Sequence, residues 1–537
     1  IKQHELYPII WVIKGQIFRY SLGRNDLAAS CFQHGVQLDP ENVTALVMMG
    51  ECLHGTECQE QSLAYMEQAL AISSNNHIAL ILSVAGRLLS SDQHNQDESI
   101  SRVEEFIKLD PSLLYAVKAA YWVPFLGINL ELEHKIWECI RHKFPQEKEK
   151  TLPDLAKPNR EHERIRIGYI SPNLRDHAIG HVTNRLFESH NRERFEIYVF
   201  STGPKSDNSE YKNFIQKTAE HYFELQGMPP AKAAELIRSK EIDIMVDLNG
   251  YMGATQIIEI FSLRPAPIQV YWLGHGGGLG LPFYDYIIGD PTVTPEEEDN
   301  NYIESVVRLP QIFAPADPHE IDAVKPSRVE FNLNEEGIIF CAFNNPTKID
   351  NEVLDAWMKI MYEIPDSQLW LSNGQNPLAK KNLRQAAEER GIDPNRLIFA
   401  ERLQDKRQHF ARHKLANLFL DTFTVNAATT AIDAIWAGLP VLTRSGSHFM
   451  SRVGASVVRS VGLEEMICNS TEEYIDKAIN LAKNPSELAR VAEQLNGALN
   501  DSILFNPNRF TTQLEAAYSQ MWQQAISGRP PKSFNVS

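Results

Sequence analysis

Two stretches of the 537-residue chain carry residue types suited to holding an anion. The apolar run LFLDT leads into Asn426, Ala427, Ala428, Thr429 and Thr430, and then into the helix-forming run AIDAIWAG. Unpaired N–H groups at a helix start, with two hydroxyls beside them, make an anion site. The plainer alternative is that Thr429 and Thr430 only cap the helix. Lys348 follows the apolar run GIIFCAFNN, which sets it at the carboxyl end of a strand facing the same cleft, although a lone lysine there is more often solvated surface. Asp433, one helical turn beyond Thr429, can accept from ribose hydroxyls or pair with a cation. A third stretch, RDHAIGH, sets His177 and His181 just after a strand-like run. Imidazole there can exchange protons near neutrality, though a loop histidine more often has no such role.

Other common sites are missing. No G-x-G-x-x-G follows the first strand of either α/β series, and there is no Walker loop, G-x-S-x-G elbow or H-E-x-x-H. Asp-x-Asp, with which many metal-dependent sugar transferases hold a nucleotide diphosphate, is also absent. A diphosphate would therefore be neutralised by side-chain cations, hydroxyls and a helix N-terminus. The 52 Lys and Arg against 69 Asp and Glu leave a net charge of −17. That balance argues against nucleic acid or anionic lipid as a bulk partner, while allowing a local basic pocket for one small anion. The six cysteines, Cys31, Cys52, Cys58, Cys139, Cys341 and Cys468, include no C-x-x-C pair and suggest neither a disulfide framework nor a structural metal. No apolar run reaches the ~18 residues of a membrane helix, and PIIWVI lacks the flanks of a signal peptide, so a soluble, cytoplasmic protein is expected. The chain opens on Ile rather than Met, from which a missing upstream stretch is expected.

Three series of elements must position these groups. Residues 1–150 read as helix after helix, with apolar positions such as Leu27, Cys31, Phe32 and Val36 on one face. The segments LDPENVTAL, ISSNNHIAL and LDPSLLYAV echo one another, the first two about 34 residues apart, which is the tetratricopeptide period; the bland reading is a generic helical cap with an accidental echo. A charged, Pro-containing linker, QEKEKTLPDLAKPNREHER, follows. Residues 163–325 then alternate strand-like runs (RIRIGYIS, FEIYVFST, IDIMVDLNG, PIQVYWLG, YDYIIGD, ESVVRLP) with helical stretches, and residues 336–525 do so again (GIIFCAFNN, SQLWLSN, RLIFAE, LFLDT, PVLT). Such alternation makes βαβ units and parallel sheets, so two doubly wound domains with a cleft between them are expected. A polar, irregular stretch lies between the two series, from about Ala314 to Glu336, and the tail from about Ser470 reads as helical with a loose Pro/Gly-rich end.

Several stretches recur together and in order: RIRIGYISPNLRDHAIGH, DIMVDLNGY, RPAPIQVYWLGHGGGLGLPFYDYIIGD, FCAFNNPTKID, QHFARHKLANLFLDT and TTAIDAIWAGLPVLTRSGSHFMSRVGAS. With helical repeats before them, they resemble the catalytic region of the protein O-GlcNAc transferase family, inverting GT-B enzymes that also include the plant SPINDLY O-fucosyltransferases. The resemblance covers about two-thirds of the chain, or nearly all of it with the repeats; the family's long insertion between its lobes is replaced by a short linker. It implies an α/β GT-B glycosyltransferase of two Rossmann-like lobes behind an all-α, tetratricopeptide-like superhelical domain.

The resemblance also implies roles by position. Lys348 contacts the donor diphosphate, with Asn345 nearby; Thr429 and Thr430 hold the phosphates and Asp433 the ribose. His409 stacks on the uracil, Lys406 and Arg412 flank the nucleoside, and Leu273 and Gly274 border the sugar. His177 matches a histidine near the reacting centre. Two positions depart from the family: Ala428 stands where many relatives have His before the Thr pair, and Asp243 where some have a second active-site His. The implied activity is transfer of GlcNAc from UDP-GlcNAc to Ser or Thr of proteins bound along the repeats, without a metal. His177, Asp243 or the donor phosphate takes the proton. Ala428 motivates another donor (UDP-glucose or GDP-fucose) or Asn as acceptor, and an inactive, UDP-binding repeat scaffold is the alternative from another class.

Overall fold

Spacing alone makes the helical echoes plausible, and the computed structural model shows what they do. It describes residues 7–22, 24–92, 96–127, 130–144, 162–253, 255–318, 321, 326–372, 376–403 and 405–537. Asn42 and Asn76 are helix N-caps, and each side chain accepts the N–H three residues on, Ala45 and Ala79, at 3.0 Å. A repeated sequence therefore builds a repeated cap. The third echo differs, because Ser112 begins the helix Leu113–Trp122 without a side-chain bond. The linker expected at 146–164 lies outside the described residues as far as 161. No helix among the described residues is long and apolar enough to cross a membrane.

The first α/β series forms β1 (Ile165–Ser171), β2 (Phe195–Ser201), β3 (His221–Glu224), β4 (Ile244–Asp247), β5 (Ile268–Tyr271), β6 (Tyr286–Gly289) and β7 (Ser305–Arg308). The second forms β8 (Ile339–Ala342), β9 (Gln368–Ser372), β10 (Leu397–Ala400), β11 (Leu418–Leu420), β12 (Val441–Arg444) and β13 (Ile467–Cys468), and β14 (Phe534–Asn535) ends the chain. The sheet orders are β14-β7-β6-β5-β4-β1-β2-β3 and β10-β9-β8-β11-β12-β13. Neighbouring strands in both sheets run parallel. In each sheet the chain steps outward from a central strand, returns to that strand's other side and steps outward again. The reversal falls between β1 and β4 in the first lobe and between β8 and β11 in the second, and such switch points open a crevice at the strands' carboxyl ends.

A parallel sheet must be covered on both faces, and the first sheet is covered by two different partners. Ile167 and Tyr169 of β1, Ile197 and Val199 of β2, and Ile244 and Val246 of β4 belong to a core continuous with the second lobe. The alternate residues Ile170, Tyr198, Phe200 and Met245 belong to a core continuous with the helical region. The period-two alternation of a strand thus ties three parts of the chain into one body.

The chain's end also returns to the first lobe. The helix Pro507–Ile526 presents Glu515 to His190 at 3.0 Å and Gln524 to Tyr286 at 3.0 Å, and Phe510 stacks near Trp272. β14 then pairs with β7, and Val536 is buried, so the terminus expected to be loose is an edge strand. It and β3 went unread because both are short and partly exposed, with no alternation to betray them.

Helix Leu130–Arg141 docks on the first lobe through Trp137, whose ring lies where a Cβ on Gly280 would stand, 2.6 Å away, and Gly280 itself has φ +64°. Gly280→Ala should therefore cost about 2–4 kcal/mol, combining left-handed strain with displacement of the indole. Gly227→Ala, at φ +74° with nothing near its Cβ, should cost only the backbone part, about 1–2 kcal/mol. Urea titration of both variants checks the contrast.

Candidate active site

At the second lobe's switch point the ends of β8 and β11 face each other. Asn344, just past β8, donates to Thr422 Oγ1 at 2.9 Å, and its Oδ1 accepts from Thr430 Oγ1 at 2.5 Å. Asn345 caps the turn Pro346–Lys348 by accepting the Thr347 N–H at 3.2 Å. Lys348 reaches back across the gap and donates to Asn426 O at 2.8 Å. Burial pulls its ammonium down to about 8, with Asp421 acting the other way.

The helix Thr429–Trp436 begins beside this lysine. Its N-cap is Ala428, which has no side-chain bond to offer, and no acidic residue stands in the first turn. Thr430 turns its hydroxyl to Asn344 instead of capping. The capping alternative therefore does not describe Thr430, and the helix start keeps the positive end of its dipole uncapped.

One turn on, Asp433 joins this cluster to a second one on the helix Lys406–His413. Lys406 Nζ lies 3.7 Å from Asp433 Oδ1, and His409 Nε2 lies 3.5 Å from Oδ2. Burial alone would raise the Asp433 carboxyl, but Lys406 and His409 hold it at about 2. Arg412 donates to His409 Nδ1 at 2.7 Å and to Glu401 O at 2.7 Å, and its guanidinium lies 4.4 Å over the Phe343 ring. Because Nδ1 accepts from Arg412, the neutral imidazole of His409 carries its proton on Nε2, facing Asp433. Burial keeps that imidazole from charging.

These groups form one wall of a cleft of about 1100 Å³, and the first lobe supplies the other, with Asp176, His181, Arg185, Tyr211 and Asp317. His181 bridges the two: Nε2 lies 2.8 Å from Asp176 Oδ1, and Nδ1 lies 3.1 Å from Lys406 Nζ. Burial and the Lys406 charge push its pKa down to about 4, so it is neutral, donating to Asp176 and accepting from the ammonium. Its ring packs 4.3 Å from Tyr211. His181 was visible in RDHAIGH, whereas Tyr211, Arg185 and Asp317 carry no sequence signal and reach the cleft by folding alone.

His177 is the N-cap of helix Ala178–Thr183, accepting the Ile179 N–H on Nδ1 at 3.2 Å, and burial lowers its pKa. It follows Asp176 in the chain, and of the two only Asp176 lines the cleft. Leu273 and Gly274 stand past β5, both with left-handed φ, 63° and 60°. A Cβ on Gly274 would lie 2.6 Å from Asn249 O, at the end of β4, and Asn249 in turn accepts from Asn173, past β1, at 3.0 Å. Both residues thus border the first lobe's switch point.

Asp243 is a correction. It precedes β4 and sits at the amino edge of the sheet, roughly 13 Å along the strand from the carboxyl end that opens on the crevice. Its carboxylate is buried, accepts the Arg166 N–H at 2.9 Å and faces His162 at 3.3 Å. It ties the starts of β1 and β4 together and takes no part in the cleft.

The comparisons with known proteins fit this geometry. The family model described as glycosyl transferase family 41 matches residues 139–321 and 314–514. The chain is 34% identical over 382 residues to a probable UDP-N-acetylglucosamine–peptide N-acetylglucosaminyltransferase, SEC, of Arabidopsis thaliana, covering 70% of this chain and 39% of that protein. It is 26% identical over 481 residues to the UDP-N-acetylglucosamine–peptide N-acetylglucosaminyltransferase of Caenorhabditis elegans, covering 68% and 41%. It spans about two-fifths of the length of these curated relatives. Among solved structures it is similar to a Thermobaculum terrenum O-GlcNAc transferase variant, with a TM-score of 0.82 and 26% identity over 97% of this chain and 98% of that one. The two Rossmann-like lobes make a GT-B fold, which with the helical region ahead of it is matched by that structure over nearly the whole chain, and the chain belongs to glycosyl transferase family 41.

Proposed function

We propose that this chain transfers GlcNAc from UDP-GlcNAc to Ser and Thr hydroxyls of proteins, inverting the anomeric centre and needing no metal. The observation that carries the reading is the Lys348 ammonium beside an uncapped helix start at the second lobe's switch point. The activity named for the Arabidopsis and Caenorhabditis relatives supports the choice of donor and acceptor class.

In this reading the acceptor oxygen bonds to the anomeric carbon as the bond from that carbon to UDP breaks. Lys348, the N–H groups at the start of helix Thr429–Trp436 and the hydroxyls of Thr429 and Thr430 take up the charge growing on the diphosphate, with Asn345 beside them. His409 stacks on uracil, Lys406 and Arg412 flank the nucleoside, Asp433 accepts from the ribose, and Leu273 and Gly274 border the sugar. With Nδ1 accepting from the Ile179 N–H, the neutral imidazole of His177 carries its proton on Nε2 and orients the acceptor, and the donor phosphate takes the acceptor proton. The helical repeats present the acceptor protein, and the cytoplasm is the compartment. Ala428, which brings no polar group to the N-cap, supports a second reading in which the same site takes another sugar or acceptor.

Three outcomes test the reading. Lys348→Ala should keep its fold by circular dichroism and lose about 10²–10³ in kcat, as when one preorganised oxyanion donor is removed; wild-type turnover of that variant refutes the assignment. Because Lys348 in the free protein titrates near 8 through burial, and only its protonated form is active, kcat/KM should fall as pH rises through about 8. The limb in kcat should lie higher, since a bound diphosphate favours the ammonium. Nucleoside diphosphate release from a panel of UDP-GlcNAc, UDP-glucose and GDP-fucose should favour the first and survive excess EDTA. Preference for the GDP-sugar removes the uracil role of His409, and EDTA loss restored by a divalent ion removes the metal-independent step.

A further inference from the structure

The corner that ends helix His77–Leu89 leans on the turn that carries Lys348. Ser90 closes the helix, its N–H reaching the Gly86 and Arg87 carbonyls, and the Asp92 N–H returns to Arg87 O at 3.0 Å. This is a Schellman-type ending, whose left-handed position usually belongs to glycine. Here it is Ser91, with φ 47°. Ser91 is 3% exposed, and its hydroxyl donates to Pro346 O at 3.0 Å. Pro346 opens the three-residue turn Pro346–Lys348.

The second lobe holds the same corner from the other side. Asn376 Nδ2 donates to Leu89 O at 2.8 Å, and Asn382 Nδ2 donates to Ser90 O at 2.9 Å. The corner is therefore fixed against the helix Pro377–Glu389 while its one outward hydroxyl grips the lysine turn. Glycine would satisfy the backbone better than serine at this position. What serine adds is that hydroxyl.

We infer that Ser91 is a positioning residue for the transfer reaction: it lies in the helical region and, through Pro346, sets the turn from which Lys348 reaches the diphosphate. The inference rests on the role proposed for Lys348. It makes the helical region part of the scaffold of the active site as well as a surface for acceptors.

Ser91→Gly separates this role from a contribution to stability, because it relieves the backbone and removes the hydroxyl at once. In the full chain the relieved left-handed strain offsets part of the lost bond, so its melting temperature should lie above that of Ser91→Ala, which loses the same bond and keeps the strain. The amides of Thr347, Lys348 and Ile349, bonded to Asn345 and Pro346, should nevertheless exchange with deuterium about tenfold faster. Transfer should lose about tenfold in kcat with donor KM within about twofold, as for a displaced group that acts on the transition state. Ser91→Ala, which keeps the strained backbone, should raise exchange equally and melt lower. Unchanged amide exchange in both variants overturns the inference. Faster exchange with unchanged kcat overturns instead the assignment of Lys348 on which it rests.

Discussion

A buried carboxylate, Asp421, is the interaction on which the second lobe's site depends. It follows directly on β11 and has no exposed surface. Oδ1 accepts the Thr422 and Ala427 N–H groups at 2.8 and 2.7 Å, and Oδ2 accepts from Thr443 Oγ1 at 2.7 Å. Burial pushes its pKa up to about 6 against those bonds. The bonds close the loop 422–427 into one shape, and that shape both offers Asn426 O to Lys348 and aims the start of helix Thr429–Trp436. A charge this deep is tolerated only when its acceptor capacity is filled. Gly454 is part of the condition, since a Cβ there would lie 2.2 Å from Asp421 Oδ2.

The first lobe repeats the device. Asp247 ends β4, accepts the Asn249 and Gly250 N–H groups at 2.7 and 3.1 Å, and takes the Tyr284 hydroxyl at 2.7 Å. Its pKa is likewise raised, to about 6, by burial. Each lobe therefore pins the loop beyond its switch point with a satisfied aspartate, and the crevice lies between two rigid rims. The helical region touches both. Tyr121 packs 5.8 Å from His275 and Trp137 fills the space above Gly280 on the first lobe, while Ser91 meets Pro346 on the second.

Charge is distributed to the same end. A chain of net charge −17 repels anions as a whole, and the cleft is itself mixed, with five Lys and Arg side chains and six carboxylates in its lining, so the placement of its cations matters more than their number. Within it the neutral imidazoles of His181 and His409 act as spacers: each accepts from a cation and donates to a carboxylate. Asp433 also meets Lys406 directly at 3.7 Å and Asp176 meets Arg402 at 3.5 Å, so the carboxylates hold these cations by pairing with them.

Much of this was legible in the chain. Period-two and helical patterns located the two α/β series and the repeats, because burial demands those periods from any sequence that folds this way. Lys348 and the Thr pair stand past a strand's end and at a helix's start, where local sequence sets the place, whereas the Lys406–Arg412 segment is singled out by resemblance alone. Tertiary structure decided what depends on distance through space. It set Asp243 at the wrong edge of its sheet, gave Thr430 to Asn344 rather than to a cap, returned the last strand to the first lobe, and brought Tyr211, Arg185, Asp317 and Ser91 to the site. The physical reason is the parallel sheet itself: neighbouring strands come from distant parts of the chain, so which loops meet at the carboxyl edge is settled by strand order, and no local pattern encodes that.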